Sequence, residues 1–463
     1  MRIYTETYRF DRFDPPPQAG MTNFNWIGNA FTSNFGWDVL RDLTEIEHRL
    51  AASEGERKGH KRVKKAFKEA GLRNVSEHSF EMEKWARGTS EIHIQTPRDV
   101  TLDCIALPGT PEGPVEAEIV NIGYGLPDEY SEEELSGKIV LARSDVPDYQ
   151  ERWLHRREKY YRAYDAGAIG FIYQNHVEGC LPPTGSLGND QYQIAEIPAV
   201  GVSKEVGDRI ARYTEEGTVR GTLHIDAELG SGTSQNVYGE LGPDTDEEII
   251  VCCHVDGHDI SQAAIDNGAG TAIVCDLARI FSEIEDQLET RIRFIGFGAE
   301  ELGLVGSARY AAQHDTSNVK LVYNCDGIGR GRTLKIYTNR FNGIEQAINQ
   351  VSDEVNHPIN IRPEVLTHSD HWPFVWRGIP GIMVMSETKE KGRGFGHTFA
   401  DTLDKVDIRE TREHAILSAM LLLRYADPSY DIERSTADEI KNYLIDEGED
   451  EWMKACRDWP YDR

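Results

Sequence analysis

Positive charge is scarce in this chain. Lys and Arg total 50 against 79 Asp and Glu, a formal net charge of −29. A surface of that sign repels phosphate backbones and anionic membranes, so neither nucleic acid nor a lipid surface is an expected partner. Lysine is scarcer still, supplying 16 of the 50 cations. This bias predicts a halophilic protein, because concentrated salt screens the self-repulsion that so many acids create. No apolar run approaches the roughly 20 residues needed to span a membrane, and no basic start leads into an apolar stretch. Cysteine is sparse and unpatterned: seven residues, with Cys252 and Cys253 adjacent inside an apolar run. Such a set predicts reduced thiols and a cytoplasmic setting rather than a disulfide framework. The first 20 residues are polar, with PPP at 15–17, and either Met1 or Met21 can serve as the start.

What the chain does have is length and order. At 463 residues it exceeds the roughly 250–300 that one core organises, which predicts more than one unit. Residues 38–73 carry an apolar stripe including Val63 and Phe67 and stop at Gly71, as a helix would. From 76 to 106 the chain alternates in strand fashion, as in SEIHIQT. The Pro- and Gly-rich LPGTPEGPVE at 107–116 marks a change of unit. Beyond 233, apolar runs (EEIIVCC, RIRFIGF, KLVYNC) alternate with helical stretches such as TAIVCDLARIFSEI and a helix running from Glu300 to about 313. Strands apolar on both faces and separated by helices predict an α/β fold with a mostly parallel central sheet flanked by helices. The expected division is a discontinuous α/β unit over 22–109 and 231–430, an insert over 110–230, and extensions at 1–21 and 431–463, the last acidic and helical in character.

Ligands of open α/β sheets bind beyond the carboxyl ends of the strands. There the chain places His254 and Asp256 after IIVCC, the adjacent Glu300 and Glu301 after RIRFIGF, and Asp326 after KLVYNC. AAIDNGAG sets Asp266 and Asn267 before a helix, and His397 follows in GHTFADTLDKVD. Each has an ordinary explanation: Asp266 and Asn267 as N-caps, Asp326 as a turn residue, His397 as a surface histidine. Jointly they are harder to dismiss. Neighbouring carboxylates repel one another and resist desolvation, so the Glu300–Glu301 pair predicts a cation beside it. Carboxylate and imidazole together suit zinc.

In this order HVDGH, AAIDNGAGTA, GAEELGLVGSARY, NCDGIG, HSDHWPF and HTFADTLDKVD resemble the M28 family of co-catalytic zinc peptidases. LSGKIVLARSD, AYDAGAIGFIYQN and IPAVGVS resemble the protease-associated (PA) insert that some members carry. The resemblance implies two divalent ions, expected to be zinc, with Asp266 bridging them, His254 and Asp326 completing one site, and Glu301 and His397 the other. It implies that Glu300 stays off the metals as general base. Asp256, two residues from His254 along a strand, is expected to orient the imidazole. His371 is the first candidate for steadying the oxyanion and His368 the second, since the tyrosine some relatives use has no counterpart in VLTH.

The expected activity is exopeptidase, foremost aminopeptidase, acting on peptides, with a homodimer as an allowed assembly. The alternatives are a carboxypeptidase of the glutamate-carboxypeptidase type, a single-zinc glutaminyl cyclase and a non-catalytic homologue. Other chemistries find no support. His254 and His258 share an H-x-x-x-H spacing, but Val255 stands where a helical zinc motif needs Glu, and Gly257 interrupts it. GFGAEE lacks the third glycine of a dinucleotide fingerprint, and neither a phosphate loop nor a G-x-S-x-G elbow is present.

Overall fold

The structure, a computed structural model, describes residues 25–388 and 394–462. The expected extension at 1–21 and the choice between Met1 and Met21 lie outside the described residues. One continuous sheet runs through the chain. Its centre is parallel: Gly381–Ser386, Val319–Cys325, Glu248–His254 and Arg291–Phe297 lie side by side in that order. The strand Leu334–Tyr337 pairs antiparallel to Gly381–Ser386 and parallel to Ile359–Arg362 at the edge.

The fully apolar strands are buried on both faces, as their composition requires. In Glu248–His254, Ile250 and Cys252 pack with Ile295, Phe297, Tyr310 and Phe374 on one side. Ile249, Val251 and Cys253 face the helix Ala269–Glu283 on the other, meeting Ile273, Leu277 and Phe281. Removing a fully buried aliphatic side chain from water contributes about 1.5–3 kcal/mol, so the strand ends that carry the acids are anchored from both sides.

Two long antiparallel strands, Arg73–Thr96 and Val219–Leu241, join the units. Residues 237–241 of the second pair with Arg291–Phe297, and residues 219–225 pair with Gly113–Asn121. From Gly113–Asn121 the sheet continues in parallel through Ile139–Arg143, Gly170–Gln174 and Ala199–Val202. The insert is thus hydrogen-bonded into the same sheet as the α/β unit.

Two helix expectations are corrected. Residues 38–73 do not form one helix: Phe35–Thr44 ends, and Glu54–Glu69 begins with Ser53 as its cap. Between them the buried Arg49 donates to the carbonyls of Leu43, Val255, Gln262 and Ala263. Turning that guanidinium inward bends the chain away from the helix. Nor does a helix start at Glu300. It runs over Val305–Gln313, preceded by a turn in which Ala299 and Leu304 adopt positive φ.

Beyond 430 the chain forms Ala437–Asp446 and Glu449–Ala455. This tail is fastened to the insert: Arg157 meets Asp458 at 2.7 Å, and Asn189 Nδ2 donates to the Arg457 carbonyl at 2.8 Å. His368 of the α/β unit stacks on His155 of the insert at 4.3 Å and approaches Trp452 of the tail at 5.5 Å.

Candidate metal centre

The acids and histidines gather at the carboxyl edge of the parallel strands. His254 ends its strand fully buried. Its Nε2 lies 3.2 Å from Asp266 Oδ1, 3.7 Å from Asp326 Oδ1 and 4.0 Å from Glu300 Oε2. The other oxygen of Asp266, Oδ2, is 3.1 Å from His397 Nε2, which in turn is 3.3 Å from Glu301 Oε2. One carboxylate therefore stands between two groups, His254 with Asp326 and His397 with Glu301. Residues more than 140 positions apart converge here, and the structure brings together all five expected ligands and Glu300.

Buried hydrogen bonds hold most of the donors. The Asp401 carboxylate accepts from the N–H groups of Ile265 and Asp266 at 2.6 and 3.1 Å. Asn267 keeps the capping role: its side chain accepts from Gly270 N at 3.1 Å and donates to the Cys325 carbonyl at 2.8 Å. Asp326 Oδ2 accepts from Ser369 Oγ at 2.6 Å. Asp256 Oδ1 accepts from Glu300 N at 3.1 Å, and its Oδ2 accepts from Glu301 N at 3.0 Å. Asp256 thus fixes the backbone of the acidic pair as well as lying 3.5 Å from His254 Nδ1. His397 is held from the insert, its Nδ1 facing the Thr184 carbonyl at 3.3 Å and its own carbonyl accepting from Thr184 N at 2.8 Å.

His371 is not part of this group. It is fully buried, and its Nε2 is bonded to the Leu366 carbonyl at 2.8 Å, so its polar edge serves the loop before it. The cleft beside Glu300, Glu301 and His397 is lined instead by His368 with His155, Arg156 and Ser186. Sequence reasoning missed Arg49, Asp401, Thr184 and His258; Ser53 three residues before Glu56 was a capping signal that could have exposed the helix break at Arg49.

The donor set fits divalent cations. Among the described residues His258 Nδ1 and Glu301 Oε1 have no hydrogen-bond partner, and the ring nitrogens of His254 meet only carboxylate oxygens, at 3.2–4.0 Å. Buried polar atoms are rarely left so unless something else satisfies them. Asp256, Asp266, Glu300, Glu301, Asp326 and Asp370 crowd one buried region with Arg49. Burial raises the Glu300 carboxyl well above the usual range, with His254 opposing. Asp370 is pushed up to about 7, again chiefly by burial. Burial acts against the charged form of His254, yet Glu300, Asp256 and Asp266 outweigh it and raise its pKa. The pocket calls for positive charge, and bound cations reverse such shifts by holding the acids ionised.

Acids and imidazoles converging at the carboxyl edge of a parallel sheet, arranged around one shared carboxylate, form a cluster able to hold divalent cations, and the relatives of this chain are metallopeptidases. Residues 236–422 match the sequence model of peptidase family M28, and residues 115–210 match that of the PA domain. Aminopeptidase YwaD of Bacillus subtilis is 28% identical over 393 residues, covering 81% of each chain. Carboxypeptidase Q of Mus musculus is 22% identical over 408 residues, covering 84% of each. An aminopeptidase from Aneurinibacillus sp. strain AM-1 superposes with a TM-score of 0.67 at 25% identity, covering 89% of this chain and 97% of that one.

Proposed function

We propose that this protein is a two-zinc exopeptidase that removes N-terminal residues from peptides. The observation that carries the reading is the Asp266 carboxylate, with one oxygen 3.2 Å from His254 and the other 3.1 Å from His397. His254 and Asp326 would hold one ion, Glu301 and His397 the other, with Asp266 common to both. When bound, such a pair supplies Lewis acidity and brings the pKa of a shared water toward neutrality.

The chain's own groups do the rest. Glu300 lines the cleft 4.0 Å from His254 Nε2, free to accept a proton from the attacking water and return it to the leaving amine. Asp256 positions Glu300 and Glu301 by accepting both backbone N–H groups, which sets the base beside its neighbouring ligand. His368, at the cleft, takes the oxyanion-steadying candidacy that His371 loses. In Glu300→Gln, metal binding should persist while kcat falls by about 10²–10⁴-fold. A variant that keeps its metal and hydrolyses peptides as fast as the parent would refute the assignment.

Aminopeptidase and carboxypeptidase action differ in the terminus recognised. A carboxypeptidase needs a cation for the substrate carboxylate, and Arg156 and Arg157 do line the cleft. Both are engaged, however: Arg156 donates to the carbonyls of Thr184 and Ser186, and Arg157 to that of Gly188 and to Asp458. This favours the amine-directed reading, which predicts cleavage of aminoacyl anilides and none of N-blocked peptides.

The seven cysteines are all free thiols, which supports a reducing, cytoplasmic setting, and no helix among the described residues is long and apolar enough to cross a membrane. The net charge of −29 supports halophily: activity should be lost in dilute buffer and recovered in molar salt. A homodimer is compatible with this reading.

A further inference from the structure

One histidine at the centre has no place in the five-ligand scheme. His258 follows Asp256 by two residues and is 2% exposed. Its ring stands edge-on to that of His397, centroids 4.3 Å apart at 82°. Its Nε2 lies 2.8 Å from Glu301 Oε2, while its Nδ1 has no hydrogen-bond partner among the described residues. Leaving a buried polar atom unsatisfied costs about 1–3 kcal/mol, an expense without return if His258 only fills space. Its immediate surroundings supply a reason. His258, Glu301 and His397 each offer a ligand atom, and the three atoms lie within 4.8 Å of one another.

We propose that His258 is a direct ligand of the cation held by Glu301 and His397. The inference rests on the two-cation reading above and adds an asymmetry to it. With Asp266 shared, one position draws on four protein donors (His258, Glu301, His397 and Asp266), whereas the other draws on three (His254, Asp326 and Asp266). Four protein donors leave the Glu301 position room only for the shared water as a fifth ligand, whereas three leave the His254 position a further place for substrate. The Glu301 position therefore anchors its ion, and the His254 position is the more open to substrate and to exchange. The competing account is that a neutral His258 only orients the Glu301 carboxylate from outside the coordination sphere.

The test uses the full chain, its His258→Ala variant and its His258→Cys variant, titrated with Zn(II) against a chelator and with Co(II) followed by visible absorption. The parent should bind two ions. His258→Ala should retain one position at parental affinity and weaken the other by more than about 100-fold, beyond the 10–100-fold typical of partners outside the coordination sphere. Its Co(II) ligand-field bands should change accordingly. His258→Cys should refill the weakened position and display a sulfur-to-cobalt charge-transfer band. Loss of 100-fold or less in His258→Ala, or a folded His258→Cys with bound Co(II) and no such band, would overturn the proposal. If His258→Ala does not fold, the His258→Cys band decides. A parent that binds fewer than two ions overturns this inference together with the two-cation reading, and parental stoichiometry tells the two failures apart.

Discussion

The two halves of the donor cluster are built differently. His254 and Asp326 sit where adjacent parallel strands end, and both strands are buried on both faces. Glu301 and His397 sit on a turn and a loop, and they owe their positions to contacts from elsewhere in the chain. Asp256 fixes the Glu301 backbone, and Thr184 of the insert holds His397. The first half is positioned by the sheet itself, the second by hydrogen bonds across units. It follows that the insert, although it supplies none of the five proposed ligands, is a structural part of the centre.

The shared carboxylate is the point at which both halves fail together. Asp266→Asn should remove both cations and reduce peptidase activity to background, measured by metal content and anilide hydrolysis. Retention of two ions at parental affinity would break the account at its middle. Asp256→Asn tests the turn-borne half. Replacing one acceptor oxygen by an NH₂ group sets a donor against the N–H of Glu300 or Glu301, so metal affinity at the Glu301 position should fall about 10–100-fold.

The smallest effect is expected from the insert. The Arg156 guanidinium ties the Thr184 and Ser186 carbonyls together. Arg156→Ala should loosen that loop and weaken the His397 position about tenfold, the lower end of what partners outside the coordination sphere contribute. The His254 position should be untouched. Equal weakening of both positions, read by metal titration, would show that the halves are not independently held.

The contrast also explains what the sequence made legible. His254, Glu300, Glu301 and Asp326 could be placed because apolar runs declare strands and strand ends declare a site. The parallel sheet and its flanking helices followed from the same pattern. What stayed hidden works through the backbone. Thr184 acts by its carbonyl and N–H, which any residue carries, so no residue type signals it. Asp401 looks like one more acid in an acidic chain until its oxygens are seen on Ile265 and Asp266. Arg49 lay inside an apparent helix, and only its four carbonyl contacts reveal a break there. His258 was set aside because, although its spacing from His254 matches a helical zinc motif, Val255 replaces the required Glu and Gly257 interrupts the helix. It joins the cluster from a turn after a strand, a geometry that motif does not describe. His371 was singled out from its SDH motif, whereas its Nε2 is bonded to the Leu366 carbonyl and His368 lines the cleft.

Crystals of the metal-loaded protein, measured for anomalous scattering at the zinc edge, test the central claim most directly. The account predicts two peaks flanking the Asp266 carboxylate, one in contact with His254 and Asp326 and the other with Glu301 and His397. A single peak, or peaks away from Asp266, would contradict it.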